Sequence, residues 1–336
     1  MPPPSPSDIL PTDPLLGTNY RARRVLGKGG FATVYEAVHV ALGKIVAVKV
    51  LHASLADKQR WTERVRVEAQ ALGQLRSPHI VDVSDFGHTS DGRPFFVMER
   101  LFGATLGDEL RRRRYFTPAE AIGLVQQLLR GLDAAHRAGL VHRDLKLDNL
   151  FVCEASDGRR LLKILDFGIA KVLPSAAGIQ PSSLQTQEGD VIGTPRFLAP
   201  EQAMGRDVDA RADLYGAGVI LYELITGRDP FWHVNDLSAL LLAHALEAPR
   251  PPSVVAPQPI QPALDDVVLR ALAKRPEDRY ASAAELAAAL EQCARPAPEG
   301  CQAGSPPGAS LPVAAFMVLA GAALAAIAAF LLAQRP

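Results

Sequence analysis

His142-Arg143-Asp144-Leu145-Lys146-Leu147-Asp148-Asn149 and, further on, Asp166-Phe167-Gly168 place two carboxylates and an amide within two short stretches. Each stretch adjoins a brief apolar run that reads as a strand, Leu150–Cys153 in one case and Leu162–Leu165 in the other. Asp144 can orient a hydroxyl and accept its proton. Asn149 and Asp166 offer oxygen donors, the type preferred by a hard cation such as Mg2+. Lys146 can balance negative charge on a group in transit. Phosphoryl transfer asks for this set, because it needs alignment and charge neutralisation more than covalent help.

Two upstream stretches extend the set. Gly27-Lys28-Gly29-Gly30-Phe31-Ala32 lies between two strand-like runs, and small residues let backbone N–H groups come close to phosphate oxygens. Taken alone, such a loop reads equally well as a tight hairpin. No Gly-x-x-x-x-Gly-Lys-Ser/Thr element occurs, which argues against a P-loop nucleotide enzyme. No helix follows the glycines directly, which argues against a dinucleotide-binding βαβ unit. Val46-Ala47-Val48-Lys49 sets a lysine on an apolar strand, where an unpaired charge is costly. Glu68, on a helical stripe with Trp61, Val65, Leu72 and Leu75, is the available counter-charge.

The elements that must position these groups follow from periodicity and turn signals. Tyr20–Leu26, Thr33–Val40 and Ile45–Leu51 form an antiparallel meander, broken at Lys28-Gly29-Gly30 and Leu42-Gly43-Lys44. Beyond about residue 102 the pattern is mainly helical, over Pro118–Ala138, Leu214–Thr226, Asp236–Leu246, Ala263–Ala273 and Ala281–Gln292. The fold class expected is α+β: a small antiparallel β-rich lobe joined to a larger helical lobe, with the reactive residues in the crevice between them.

With this order and spacing, the chain resembles a eukaryotic-type serine/threonine protein kinase of the kind found in bacteria, from about Tyr20 to Gln292. The resemblance implies that Leu26, Gly27, Lys28, Gly29, Gly30, Phe31, Ala32, Thr33 and Val34 cover ATP. It makes Lys49 the grip on the α and β phosphates, paired with Glu68. Asp144 becomes the catalytic base, with Asn149 and Asp166 as ligands of Mg2+. Val34 and Ala47 would sandwich the adenine, with Met98 behind it. Glu99 to Leu101 would form the hinge whose backbone reads the adenine edge. Ala199-Pro200-Glu201 resembles the family's Ala-Pro-Glu, with Arg279 as its ion-pair partner, and Asp213 resembles the aspartate that braces the catalytic loop. Lys146, two residues after Asp144, and Gly193-Thr194-Pro195 resemble the branch that acts on Ser and Thr in protein substrates. Ala32 in place of a loop glycine and Leu147 in place of a proline are departures, and neither position supplies a reacting side chain. A non-catalytic scaffold of the same fold and a kinase-like enzyme acting on small molecules are the rival readings.

Arg143 before the catalytic aspartate implies control by phosphorylation of the segment Ile169 to Leu198, which holds Ser175, Ser182, Ser183, Thr186 and Thr194. Autophosphorylation is expected there, with Thr186 as the leading site. Residues 1–19 read as a disordered Pro-rich leader, 20–292 as the kinase domain and 293–312 as a Pro/Gly/Ser-rich linker. Residues 313–333 are uncharged and apolar, and their 21 residues match the ~30 Å hydrocarbon core of a bilayer. A single-pass anchor in the cytoplasmic membrane follows, with the kinase domain in the cytoplasm beside its ATP. Only Gln334, Arg335 and Pro336 come after it, so a sensor domain beyond the span is not expected. Gly321 and Ala325 would let two such helices pair, giving a homodimer.

Acids and bases balance at 36 each, so no overall field calls for nucleic acid. The run Arg111–Arg114 reads as a solvated face. Cys153, Cys293 and Cys301 have no metal-ligand spacing and fit a reducing compartment, and the N-terminus lacks a secretion pattern.

Overall fold

In Ile45–Leu51 every second residue is a valine, and strand geometry sends Val46, Val48 and Val50 to one face and Ala47 and Lys49 to the other. That alternation organises the first half of the computed structural model, which describes residues 9–10, 12–30, 32–52, 73–154, 158–167 and 195–294. Strands β1 (Tyr20–Lys28), β2 (Ala32–His39), β3 (Ile45–Leu51), β4 (Val83–His88) and β5 (Pro94–Glu99) form one antiparallel sheet in the order β1-β2-β3-β5-β4. On its outer face Val46, Val48 and Val50 pack with Tyr20, Ala22, Ala37, Phe95 and Val97. On its inner face Ala47 packs with Val81 and Met98.

The leader requires a correction. Leu15 is fully buried in the outer-face cluster, and Leu10 packs against it. Asp13 fixes this segment by accepting backbone N–H bonds from Leu15 (2.9 Å) and Ala22 (3.1 Å) on Oδ1. The folded domain therefore starts before residue 20, because the sheet needs an apolar cover that the proline-rich composition hides.

A second sheet, β6 (Gly103–Thr105), β7 (Leu150–Glu154) and β8 (Arg160–Ile164), sits on the helical lobe. The helices are α1 (Leu106–Arg113), α2 (Pro118–Arg137), α3 (Pro200–Ala203), α4 (Arg211–Thr226), α5 (Leu237–Leu246), α6 (Pro252–Val255), α7 (Pro262–Ala271) and α8 (Ala283–Ala294). The start of α2 is fixed by a capping box: Thr117 Oγ1 accepts from the Glu120 N–H, and Glu120 returns the bond to the Thr117 N–H. Helix α4 is buried almost all round and forms the axis of the lobe. It ends at Gly227, whose φ of 74° suits glycine; a Cβ there would also lie 2.5 Å from the Arg114 carbonyl oxygen.

The expected elements appear with shifted ends. Helix α4 begins three residues before Leu214, because the charged Arg211 and Asp213 interrupt the apolar pattern at its start, and Asp213 is buried there as the resemblance implied. Helix α5 begins after Asp236, which caps it through the Ala239 N–H at 2.8 Å. The arginine run closes α1, exposed as expected, with Arg111 paired to Asp108. Strands β4 and β5 were not expected, since runs this short have no decisive period. The helical stripe of Trp61, Val65, Glu68 and Leu72 lies outside the described residues, as do the expected span and the expected linker from residue 295 on, whereas Cys293 and Ala294, expected in that linker, close α8.

Candidate active site

The loop from His142 to Asn149 is held from below. Asp213, 1% exposed at the start of α4, accepts the backbone N–H of His142 at 2.8 Å and that of Arg143 at 2.9 Å. His136 Nε2 lies 2.7 Å from the same carboxylate. Arg143 has a φ of 61°, an uncommon conformation for a residue with a Cβ, and both its backbone groups are tied down. Its N–H donates to Asp213, and its carbonyl accepts Gln202 Nε2 at 2.9 Å. Beneath the loop the buried rings of His142 and Phe167 are in contact, with centroids 4.9 Å apart.

Above this base the reactive side chains converge. Lys146 Nζ lies 3.6 Å from Asp144 Oδ2. Asn149 donates through Nδ2 to the Asp144 carbonyl at 2.9 Å, which leaves its amide oxygen for another partner. The Asn149 carbonyl accepts the Leu165 N–H at 2.8 Å and so joins this loop to the segment carrying Asp166. Lys49 Nζ reaches Asp166 Oδ1 at 2.8 Å, linking the β3 strand to the helical lobe; the side chains are 18% and 36% exposed. The expected partner of Lys49, Glu68, lies outside the described residues, as do Phe31, Thr186 and Thr194.

A single apolar cluster gathers Ala47, Val81 and Met98 with the partly buried Leu26, Val34, Leu101 and Leu165. Five of these were expected to meet ATP: Val34, Ala47 and Met98 at the adenine, Leu101 in the hinge and Leu26 in the segment that covers the nucleotide. Val81 and Leu165 were missed: each belongs to a short apolar run with no period to mark which residue faces the cleft. In the β1–β2 hairpin, Gly27 pairs with Val34, and the Gly29 N–H donates to the Ala32 carbonyl at 2.9 Å. A Cβ at Gly27 or Gly30 would meet nothing within 4 Å, so packing does not impose glycine there.

Asn149 and Asp166 supply the hard oxygen donors that Mg2+ favours. Among the described residues no group of three or more His, Cys, Asp or Glu forms a ready-made metal cluster. That fits a cation which takes one or two protein ligands and completes its shell with phosphate oxygens and water.

Two further features surround the site. Arg279 and Glu201 form a buried bidentate pair at 2.8 and 2.7 Å, and both residues are less than 5% exposed. Arg279 also donates to the carbonyls of Ala273, Arg211 and Lys274, which saturates its guanidinium. Next to Leu147 and Asp148 a cleft of about 740 Å³ opens between α1 and α4, lined also by Arg196, Phe197 and Glu223. Glu223 Oε2 is buried with no hydrogen-bond partner among the described residues, and burial, reinforced by Asp229, pushes its carboxyl up to about 7.

Residues 20–290 match the family model described as the protein kinase domain. The serine/threonine-protein kinase Pkn1 of Myxococcus xanthus is 45% identical over 287 residues, covering 83% of this chain and 39% of that one. PknB of Mycobacterium leprae is 40% identical over 284 residues, covering 84% and 44% respectively. The chain thus spans well under half the length of these curated relatives. The crystal structure of the Mycobacterium tuberculosis PknI kinase domain aligns with a TM-score of 0.64 at 26% identity, covering 84% of this chain and 98% of that one.

Proposed function

The chain belongs to the protein kinase family, and on that premise we propose that it transfers the γ-phosphoryl group of ATP to serine and threonine hydroxyls of proteins. The observation that carries this reading is the meeting of Lys49 with Asp166 across the cleft, directly above the loop of Asp144, Lys146 and Asn149. In this reading the cluster of Leu26, Val34, Ala47, Val81, Met98, Leu101 and Leu165 takes the adenine, and the backbone from Glu99 to Leu101 reads its edge. The glycines of the β1–β2 hairpin, free of any packing demand, admit the phosphates. Lys49 holds the α and β phosphates and exchanges its contact with Asp166 for them, with Glu68 as its further counter-charge.

Asp144 accepts the proton of the acceptor hydroxyl as its oxygen bonds to the γ-phosphorus and the bond to the bridging oxygen breaks, releasing ADP. Lys146, close to Asp144, steadies the charge on the moving group. Asn149 and Asp166 would hold Mg2+, which when bound neutralises the phosphate oxygens.

Two observations favour an active protein kinase over the rival readings. The full set of Lys49, Asp144, Asn149 and Asp166 argues against a non-catalytic scaffold. The open cleft beside Asp148 and the braced Ala199-Pro200-Glu201 segment offer a surface for a polypeptide, which a small-molecule enzyme does not need. Arg143 is exposed and has no acidic partner among the described residues, which suits the reading that it grips a phosphate on Thr186. Residues 313–333 serve in this proposal as the membrane anchor, and their small residues as a site of pairing between two copies.

The test is direct. The purified chain, incubated with Mg2+ and γ-labelled ATP, should label a generic protein acceptor and its own activation segment, and Asp166→Asn should do neither. Absence of nucleotide binding and of labelling, with the activation segment phosphorylated or made acidic, would overturn the assignment.

A further inference from the structure

Two adjacent hinge residues are held by ion pairs that pull in opposite directions. Glu99 accepts Lys163 Nζ, from β8 of the helical lobe, at 2.6 Å on Oε1, and the Lys163 side chain is only 11% exposed. The same oxygen accepts the Asp82 N–H at 2.9 Å, and the Glu99 N–H donates to the Asp82 carbonyl at 3.1 Å. One residue later, Arg100 turns to the sheet lobe. Its Nε donates to Glu36 Oε2, on β2, at 3.0 Å, with both side chains largely buried. Glu36 is locked in place by Arg24 as well, at 2.8 Å on the same oxygen. The Arg100 guanidinium also donates to the Leu101 carbonyl and lies over the Phe102 ring, 4.5 Å from its centroid.

We infer that Lys163 and Glu36 are positioning residues for the nucleotide: they fix Glu99 to one lobe and Arg100 to the other, and so set the stretch of hinge backbone that faces the adenine. This inference rests on the proposal that residues 99–101 read the adenine edge. Its physical basis is geometric. A peptide backbone presents its donor and acceptor to a ligand only if its dihedrals are fixed, and a hinge free to turn would lose that order on each opening. Charge-assisted bonds at low exposure hold such geometry better than surface pairs do.

The experiment measures KM for ATP and kcat on the full chain, together with ADP affinity by titration. Lys163→Met keeps the aliphatic stem and removes the charge, and should raise KM for ATP about fivefold while kcat changes less than about twofold. Lys163→Arg should restore KM, since it returns a cation to Glu99. Glu36→Gln tests the other arm by the same readout and stands alone should Lys163→Met fail to fold. KM unchanged in the folded variants would overturn the inference, as would a fall in kcat at constant KM, or failure of Lys163→Arg to rescue. Wild-type protein that binds no ADP would instead overturn the assignment of the hinge itself.

Discussion

The foot of the helical lobe and the cleft above it use the same residue types in opposite ways. At the foot, Glu201 and Arg279 are buried and fully satisfied, and Asp213 accepts two backbone N–H groups. In the cleft, the Lys49 and Asp166 side chains keep 18% and 36% of their surface exposed, and Lys146 sits 3.6 Å from Asp144. A charge sealed among permanent partners cannot change them, so it supports structure. A charge left reachable can exchange its partner for a ligand. The contrast shows where rigidity ends and chemistry begins within a few residues, because Asp213 holds the very loop on which Asp144 stands.

Four substitutions break or sharpen that contrast, taken from the largest effect down. Asp144→Asn should lower kcat by about 10^2- to 10^4-fold while the melting temperature stays close to that of the parent, as general-base loss predicts. Steady-state kinetics and calorimetry check both halves. Arg279→Ala should do the reverse. It strands the Glu201 carboxylate inside the lobe and should cost about 3–5 kcal/mol in chemical denaturation.

Glu223 lies between the two cases, partly buried, with Oε2 sealed from solvent and unpartnered among the described residues, yet facing a cleft. Its carboxyl titrates at about 7 in the folded chain against an ordinary 4.5, so the folded state binds the proton more tightly. The stability this contributes is complete below pH 4.5 and is lost as pH rises through 7. Glu223→Gln should flatten that decline, which amounts to ~3 kcal/mol at most, in denaturation curves run between pH 4 and 8. Lys49→Met should have the smallest effect on stability, less than about 1 kcal/mol, because methionine keeps the aliphatic stem in its partly buried place and Asp166 stays within reach of solvent. Nucleotide affinity should nonetheless collapse, and a titration with ADP would show it.

Much of this was readable before any coordinates, for a physical reason. Lys49, Asp144, Asn149 and Asp166 were singled out by residue type and order, and the structure brings them together through the Lys49–Asp166 pair and the bonds of Asn149 to the Asp144 carbonyl and the Leu165 N–H. The register of β3 was equally legible, because the alternation of valines admits one facing. What stayed hidden depends on distant partners. Val81 and Leu165 become pocket residues only when two lobes bring separate apolar runs together. Strands β4 and β5 complete a sheet, yet neither carries a pattern that would mark it alone.

The burial of Leu15 has a practical consequence for anyone who trims this chain. The family likeness begins at residue 20, five positions after a leucine with no exposed surface. A boundary placed there would uncork the sheet. The void and the bared valines would cost about as much as deleting a core leucine, ~3 kcal/mol or more. A trimmed domain that keeps this cover starts no later than Leu10, ahead of the margin that homology alone would draw.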